Sequence, residues 1–378
     1  MIYLDYAANT PVEKEVLKEY VSATTKYIAN PNSTHPLGLE AKKIIDDSTQ
    51  KISKYFNIEP NNIIYTSGSS ESNNMVIKGI AEINKNKGKH IIVSAIEHSS
   101  IIAPCNYLAN KGYEISVIPI LENGQLDLNE LKNTIRDDTI LVSICYVDSE
   151  LGTVQPIKEI SKIIKKYENC IFHTDATQAV GKINVDFKGI DFVTFAPHKF
   201  YGLNGFGVLL NMNNNKLIPL IHGGKSTTIY RSGTPVTANV VALKKSIELA
   251  LDNLNKRYDY ISGLNKYLRD ELSIFSNVHV NSPKNSIPNT LNFSLVNMDA
   301  KRVVKKLAEN GICLSTTSAC SLGSTPSKSV YAITNDLELA KNSIRISLSH
   351  LTTIEELNKF MKIFKKIYDE ELSSNENN

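Results

Sequence analysis

The chain has 378 residues, 42% of them hydrophobic and 21% charged, with a formal net charge of +3. That length predicts two or three domains, and the composition excludes a disordered, collagen-like or coiled-coil protein. No apolar run approaches the ~20 residues that span a bilayer, no basic stripe marks a nucleic-acid surface, and five scattered cysteines do not suggest a disulfide framework.

In chain order, the opening Met1-Ile2-Tyr3-Leu4-Asp5-Tyr6 lacks the basic and apolar regions of a secretory signal. A soluble cytoplasmic enzyme is therefore the expectation. β-rich runs follow at 62–66, 90–94, 115–119, 140–146, 171–174, 192–195 and 207–211. Amphipathic stretches lie between several of them. One is 158–167, where Ile160, Ile163, Ile164 and Tyr167 share a helical face. This alternation predicts an α/β fold with a mostly parallel sheet and helices on both faces. The pattern changes near Ala238. A long helical stretch runs through 240–254 and beyond Arg257, then come strands at 278–281 and 290–294, a helix at 300–310, a strand at 344–347 and a helix at 354–368. These read as a smaller α+β domain, closed by a polar, frayed tail at 373–378. The expected division is 11–240 for the large domain and 241–378 for the small one, with residues 1–10 packing on the latter.

Parallel sheets bind ligands beyond the carboxyl ends of their strands. The run 62–66 leads into Ser67-Gly68-Ser69-Ser70-Glu71-Ser72-Asn73-Asn74 and a helical stretch. Small hydroxylated residues at a helix start suit a phosphate, although alone they equally describe a Ser-capped helix. Asp175 ends the strand Phe172-His173-Thr174, where a carboxylate is often only a helix cap. Lys199 follows the run 191–195 and precedes a glycine-rich turn; a lysine partly removed from water can bond an aldehyde, but most lysines are solvated. The combination says more than its parts. A phosphate site, a carboxylate for a ring nitrogen and an amine for an aldehyde, in that order, are the requirements of pyridoxal 5'-phosphate. Glu97-His98 adds a ring that can stack on it.

The chain resembles the cysteine desulfurases of the class V aminotransferase group, which have the type I pyridoxal-phosphate fold: a mostly parallel seven-stranded sheet plus a smaller α+β domain. The resemblance covers nearly the whole chain. It rests on Tyr3-Leu4-Asp5-Tyr6-Ala7-Ala8, Asn30-Pro31-Asn32-Ser33-Thr34-His35, Thr66-Ser67-Gly68 through Asn74, Glu97-His98, His173-Thr174-Asp175-Ala176-Thr177-Gln178 and His198-Lys199. Arg231-Ser232-Gly233-Thr234, Ser318-Ala319-Cys320 and Ser343-Ile344-Arg345-Ile346-Ser347 complete it. It implies that Lys199 is the Schiff-base lysine and base, that Asp175 pairs with the ring nitrogen, that Gln178 bonds the ring oxygen and that His98 stacks on the ring. Ser69, Ser70 and His198 are implied phosphate contacts, joined by Thr234 from the second subunit of a homodimer. Arg345 is the implied clamp for the substrate carboxylate, with Ser149 and Asn32 beside it. No metal is implied.

Cys320 is the implied nucleophile. Residues 315–326 around it show neither helical nor strand periodicity and read as a mobile surface loop, from which a thiol can take substrate sulfur and pass it on. Cys105, Cys145, Cys170 and Cys313 stand in or beside apolar runs and read as small core residues. The implied reaction turns L-cysteine into L-alanine and delivers sulfur to an acceptor such as an iron–sulfur scaffold or a tRNA-thiolation enzyme.

Some positions depart from the family pattern. Ala196 stands where a phosphate-binding Ser is common, Asp148-Ser149-Glu150-Leu151-Gly152 replaces Asn-Asn-Glu-x-Gly, Gly223-Gly224-Lys225-Ser226-Thr227-Thr228 lacks a Gln-Glu pair, and Ser349-His350 replaces Gly-Arg. Two other readings stay open at this level: a different lyase on the same cofactor, acting on selenocysteine or cysteine sulfinate, and a cofactor-bound but idle partner protein.

Overall fold

The computed structural model describes residues 1–224, 226–316 and 325–376. Its elements in order are β1 (Ile2–Tyr3), α1 (Lys14–Lys26), α2 (Pro36–Phe56), β2 (Ile63–Thr66), α3 (Ser69–Ile83), β3 (His90–Ser94), α4 (Ser99–Ala109), β4 (Glu114–Ile118), α5 (Leu128–Thr134), β5 (Thr139–Ser143), α6 (Ile157–Ile164), β6 (Ile171–Asp175), β7 (Phe192–Phe195) and β8 (Gly207–Asn211). Then follow α7 (Thr237–Asp252), α8 (Leu254–Leu272), β9 (Val278–Val280), β10 (Thr290–Leu295), α9 (Ala300–Glu309), β11 (Ile312–Cys313), α10 (Lys328–Thr334), α11 (Leu337–Lys341), β12 (Ser343–Ser347) and α12 (Ile354–Glu376).

The seven expected strands form one sheet in the order β2-β8-β7-β6-β5-β3-β4. Only β8 runs against its neighbours; the other pairings are parallel. Successive residues of a strand enter opposite faces. Ile63, Ile92, Val142 and Leu210 join one core, whereas Ile64, Ile91, Leu141 and Leu209 join another. Burial on both faces explains why these strands carry apolar residues at adjacent positions rather than in strict alternation. Helices α2, α6 and α7 cover the first face, and α3 and α4 cover the second.

A separate core gathers Leu264 and Leu268 of α8, Phe293 of β10, Ile344 of β12 and Phe360 and Phe364 of α12. Ile2 and Leu4 belong to it, since β1 pairs in parallel with β11. The long helical stretch from Val240 is two helices. Asn253 Nδ2 donates to Leu249 O at 2.9 Å and takes the place of the next turn, as asparagine does where it competes for the backbone. The last helix runs past Tyr368 into the polar tail. Glu371 anchors it, pairing with Lys306 at 2.8 Å and Arg302 at 3.1 Å.

Candidate active site

A cavity of about 210 Å³ opens at the carboxyl ends of the parallel strands. Each strand delivers its part as it leaves the sheet: Gly68, Ser69 and Ser70 after β2, His98 after β3, Cys145, Val147 and Ser149 after β5, Asp175 at the end of β6, and His198 and Lys199 after β7. Ala7 and Ala8 close one side, and Arg345 reaches in from β12. Nine residues expected from the sequence therefore share one cavity: Ser69, Ser70, His98, Ser149, Asp175, Gln178, His198, Lys199 and Arg345.

The start of α3 is capped by Gly68, which offers no side chain to the first amides. Those N–H groups and the Ser69 and Ser70 hydroxyls stand at the positive end of a helix. Gly207 makes room for this turn, because a Cβ there would lie 2.5 Å from Gly68 Cα.

Asp175, 8% exposed, accepts from the Thr177 amide at 2.9 Å and from Asn73 Nδ2 at 2.8 Å. Asn73 Nδ2 also donates to Ser100 Oγ at 2.9 Å, and Ser100 Oγ lies 2.8 Å from His98 Nδ1. The Ser100 amide donates to the same His98 Nδ1, so that nitrogen is the bare one and Nε2 carries the proton. Burial lowers the His98 pKa, and the neutral ring is thus tied through Ser100 and Asn73 to the Asp175 carboxylate. Lys199 Nζ donates to Ala7 O at 2.9 Å and Ala8 O at 2.6 Å. The pKa of His198 falls to about 4 through burial and the charges of Lys199 and Lys182.

Arg345 is 1% exposed; its Nη2 donates to Asp5 Oδ1 at 2.8 Å and its Nη1 to Ser149 O at 3.0 Å. Arg345 Nε is buried without a hydrogen-bond partner among the described residues. Asp148 turns away from the cavity, accepting from the Glu150 amide and from Ser329 Oγ at 2.9 Å, so it braces the loop that carries Ser149. Burial, then Glu150, raises its pKa to about 6. Ala196 is fully buried and His350 packs edge-on against Tyr201 at 4.5 Å.

Two expected residues lie elsewhere. Asn32 lines an open groove with Leu39, and Thr234 lines an adjoining one; the two share Tyr65, Ser226, Thr227 and Pro235. Cys320 lies outside the described residues. Among the other cysteines, burial drives the thiols of Cys105, Cys145 and Cys170 to raised pKa values, about 12 for Cys105. Cys145 belongs to the core as expected and also lines the cavity, its thiol pKa raised by burial. Asn73, Ser100 and Thr177 were not singled out in the sequence; Asn73 stands one turn beyond Ser70 on α3, a spacing that could have flagged it.

A family model described as Aminotransferase class-V matches residues 2–360, and the chain belongs to that family. Within it the chain is similar to two curated proteins named cysteine desulfurase IscS. The one from Dictyoglomus turgidum is 40% identical over 97% of this chain and 94% of the relative, and one from Clostridium botulinum is 38% identical with the same coverage. A solved structure of a NifS-like protein superposes with a TM-score of 0.92 at 31% identity, covering 97% of this chain and 99% of the other.

Proposed function

We propose that the chain is a pyridoxal-phosphate-dependent cysteine desulfurase that converts L-cysteine to L-alanine and retains the sulfur on Cys320. The observation that carries this reading is the convergence of Lys199, Asp175, His98 and Arg345 on one cavity, beside a helix start with no side-chain cap. The donor set fits the cofactor. The α3 start with Ser69, Ser70 and His198 suits its phosphate, Asp175 suits the ring nitrogen, Gln178 the ring oxygen, His98 the ring face and Lys199 the aldehyde. When bound, the cofactor supplies an electron-withdrawing ring.

The chain's own residues do the rest. Asp175, fixed by Asn73 and Thr177, holds a proton on the ring nitrogen. Arg345, with Nε free and Ser149 beside it, clamps the substrate carboxylate, an arrangement suited to a bidentate guanidinium. Lys199 Nζ takes the α-proton of L-cysteine and can return one to the product. The Cys320 thiolate attacks the substrate sulfur: an S–S bond forms, the C–S bond breaks, and its electron pair stays on carbon and is protonated to give L-alanine. The sulfur leaves as a persulfide to a thiol of an acceptor protein.

A homodimer is part of the proposal. It is supported by the position of Thr234 and Asn32 in grooves outside the cavity, beside exposed Leu39 and Val236. A two-domain organisation is supported by a core of its own for the C-terminal part; α7 packs on the large sheet as far as Ala250, which favours a boundary after α7 over the expected one at 240/241. Among the described residues no helix is long and apolar enough to cross a membrane. The test is borohydride reduction of protein loaded with pyridoxal 5'-phosphate, followed by peptide mapping. The expected result is cofactor fixed on Lys199 and on nothing in Lys199→Ala; label elsewhere contradicts the assignment.

A further inference from the structure

One polar side chain beside the site has no part in the reaction above. Lys182 stands four residues beyond Gln178 in the turns that follow β6, and its ammonium donates to Gln178 Oε1. Gln178 Nε2 donates in turn to Ala7 O at 3.0 Å, the carbonyl that also accepts Lys199 Nζ at 2.9 Å. An ammonium can only donate and a carbonyl can only accept. The two contacts therefore admit one orientation of the amide: oxygen toward Lys182, nitrogen toward Ala7. The second N–H of Gln178, a residue 7% exposed, is left for the cavity that it lines. Take Lys182 away and a buried carbonyl oxygen loses its donor, and only the bond to Ala7 O still directs the amide.

Lys182 sits in a small chamber behind the cavity, shared with Lys199, Tyr6, Tyr201, Arg257 and His350. Burial, then the charges of Lys199 and Arg345, lowers its pKa to about 7. A cation placed among cations is a poor choice for stability alone. Its contact with Gln178 gives it a use.

We propose that Lys182 is a positioning residue that locks the Gln178 amide with an N–H facing the oxygen of the cofactor ring. This rests on the pyridoxal-phosphate reading. The test is a fluorescence titration of the cofactor-free full chain with pyridoxal 5'-phosphate. Lys182→Met is expected to raise Kd about tenfold, and Lys182→Arg to recover most of the loss, as suits one charge-assisted hydrogen bond. In a Gln178→Ala background, Lys182→Met adds little, because the two residues act as a unit. Gln178→Glu keeps the Lys182 pairing but replaces the whole NH2 group, losing both the cavity N–H and the bond to Ala7 O, and it raises Kd at least as far as Gln178→Ala does. Unchanged Kd in Lys182→Met, fully additive effects, or wild-type binding by Gln178→Glu would overturn the role of Lys182 alone. A wild-type chain that takes up no cofactor would overturn the cofactor reading and this role together.

Discussion

At the scale of single residues, the site is ordered by groups that never touch the reaction. Asn73 spends both amide hydrogens on Asp175 and Ser100, so the carboxylate and the His98 ring share one support. Glu97 lies beneath them, 4% exposed, accepting from Ser94 Oγ at 2.5 Å and from the Cys145 amide at 2.9 Å. Burial raises its pKa to about 8, with Asp175 and Asp148 adding to the effect. In the unfolded chain a glutamate releases its proton near pH ~4.3. Between those limits the folded state holds the extra proton, so Glu97 makes stability fall as pH rises toward 8. Glu97→Gln keeps the acceptor and removes the titration. Calorimetric melting temperatures are expected to decline less from pH 5 to pH 8 in Glu97→Gln than in wild type; parallel curves would show that Glu97 is not protonated in the fold.

At the scale of elements, the N-terminal strand acts as a strap. β1 pairs with β11, Asp5 bonds Arg345 and Ser315, and the Ala7 and Ala8 carbonyls hold Lys199. Asp5→Ala strands a guanidinium that is 1% exposed. Removing one partner of such a pair costs about 3 kcal/mol, so chemical denaturation is expected to show a loss of that size together with a raised KM for L-cysteine. Unchanged stability would mean that Arg345 finds another partner. The strap was hard to read in the sequence, because two-residue strands have no periodicity and its contacts span from 191 to 340 positions. The sheet was legible for the opposite reason. Its strands at 90–94, 192–195 and 207–211 are buried from end to end, so they carry adjacent apolar residues and match β3, β7 and β8 at both bounds. Lys199, Asp175 and His98 were legible because each follows such a strand. Asn73 and Lys182 were not, since they act through other side chains, and only folded distances show that.

At the scale of the whole molecule, nine expected residues meet in one cavity while Asn32 and Thr234 face grooves outside it. A homodimer accounts for the difference if the second copy covers those grooves. Leu39, 54% exposed, lines the larger one. Leu39→Glu is expected to shift sedimentation from dimer toward monomer and to speed cofactor loss; a wild-type monomer would remove the dimer from the account. The central claim is desulfuration by Cys320. Its most direct test is to measure sulfide and alanine together, from cofactor-loaded protein given L-cysteine and a thiol reductant, with Cys320→Ser alongside. The account predicts equal amounts of both products from wild type and neither from Cys320→Ser. Alanine formation that survives in Cys320→Ser, or no alanine from wild type with cofactor bound, would contradict it.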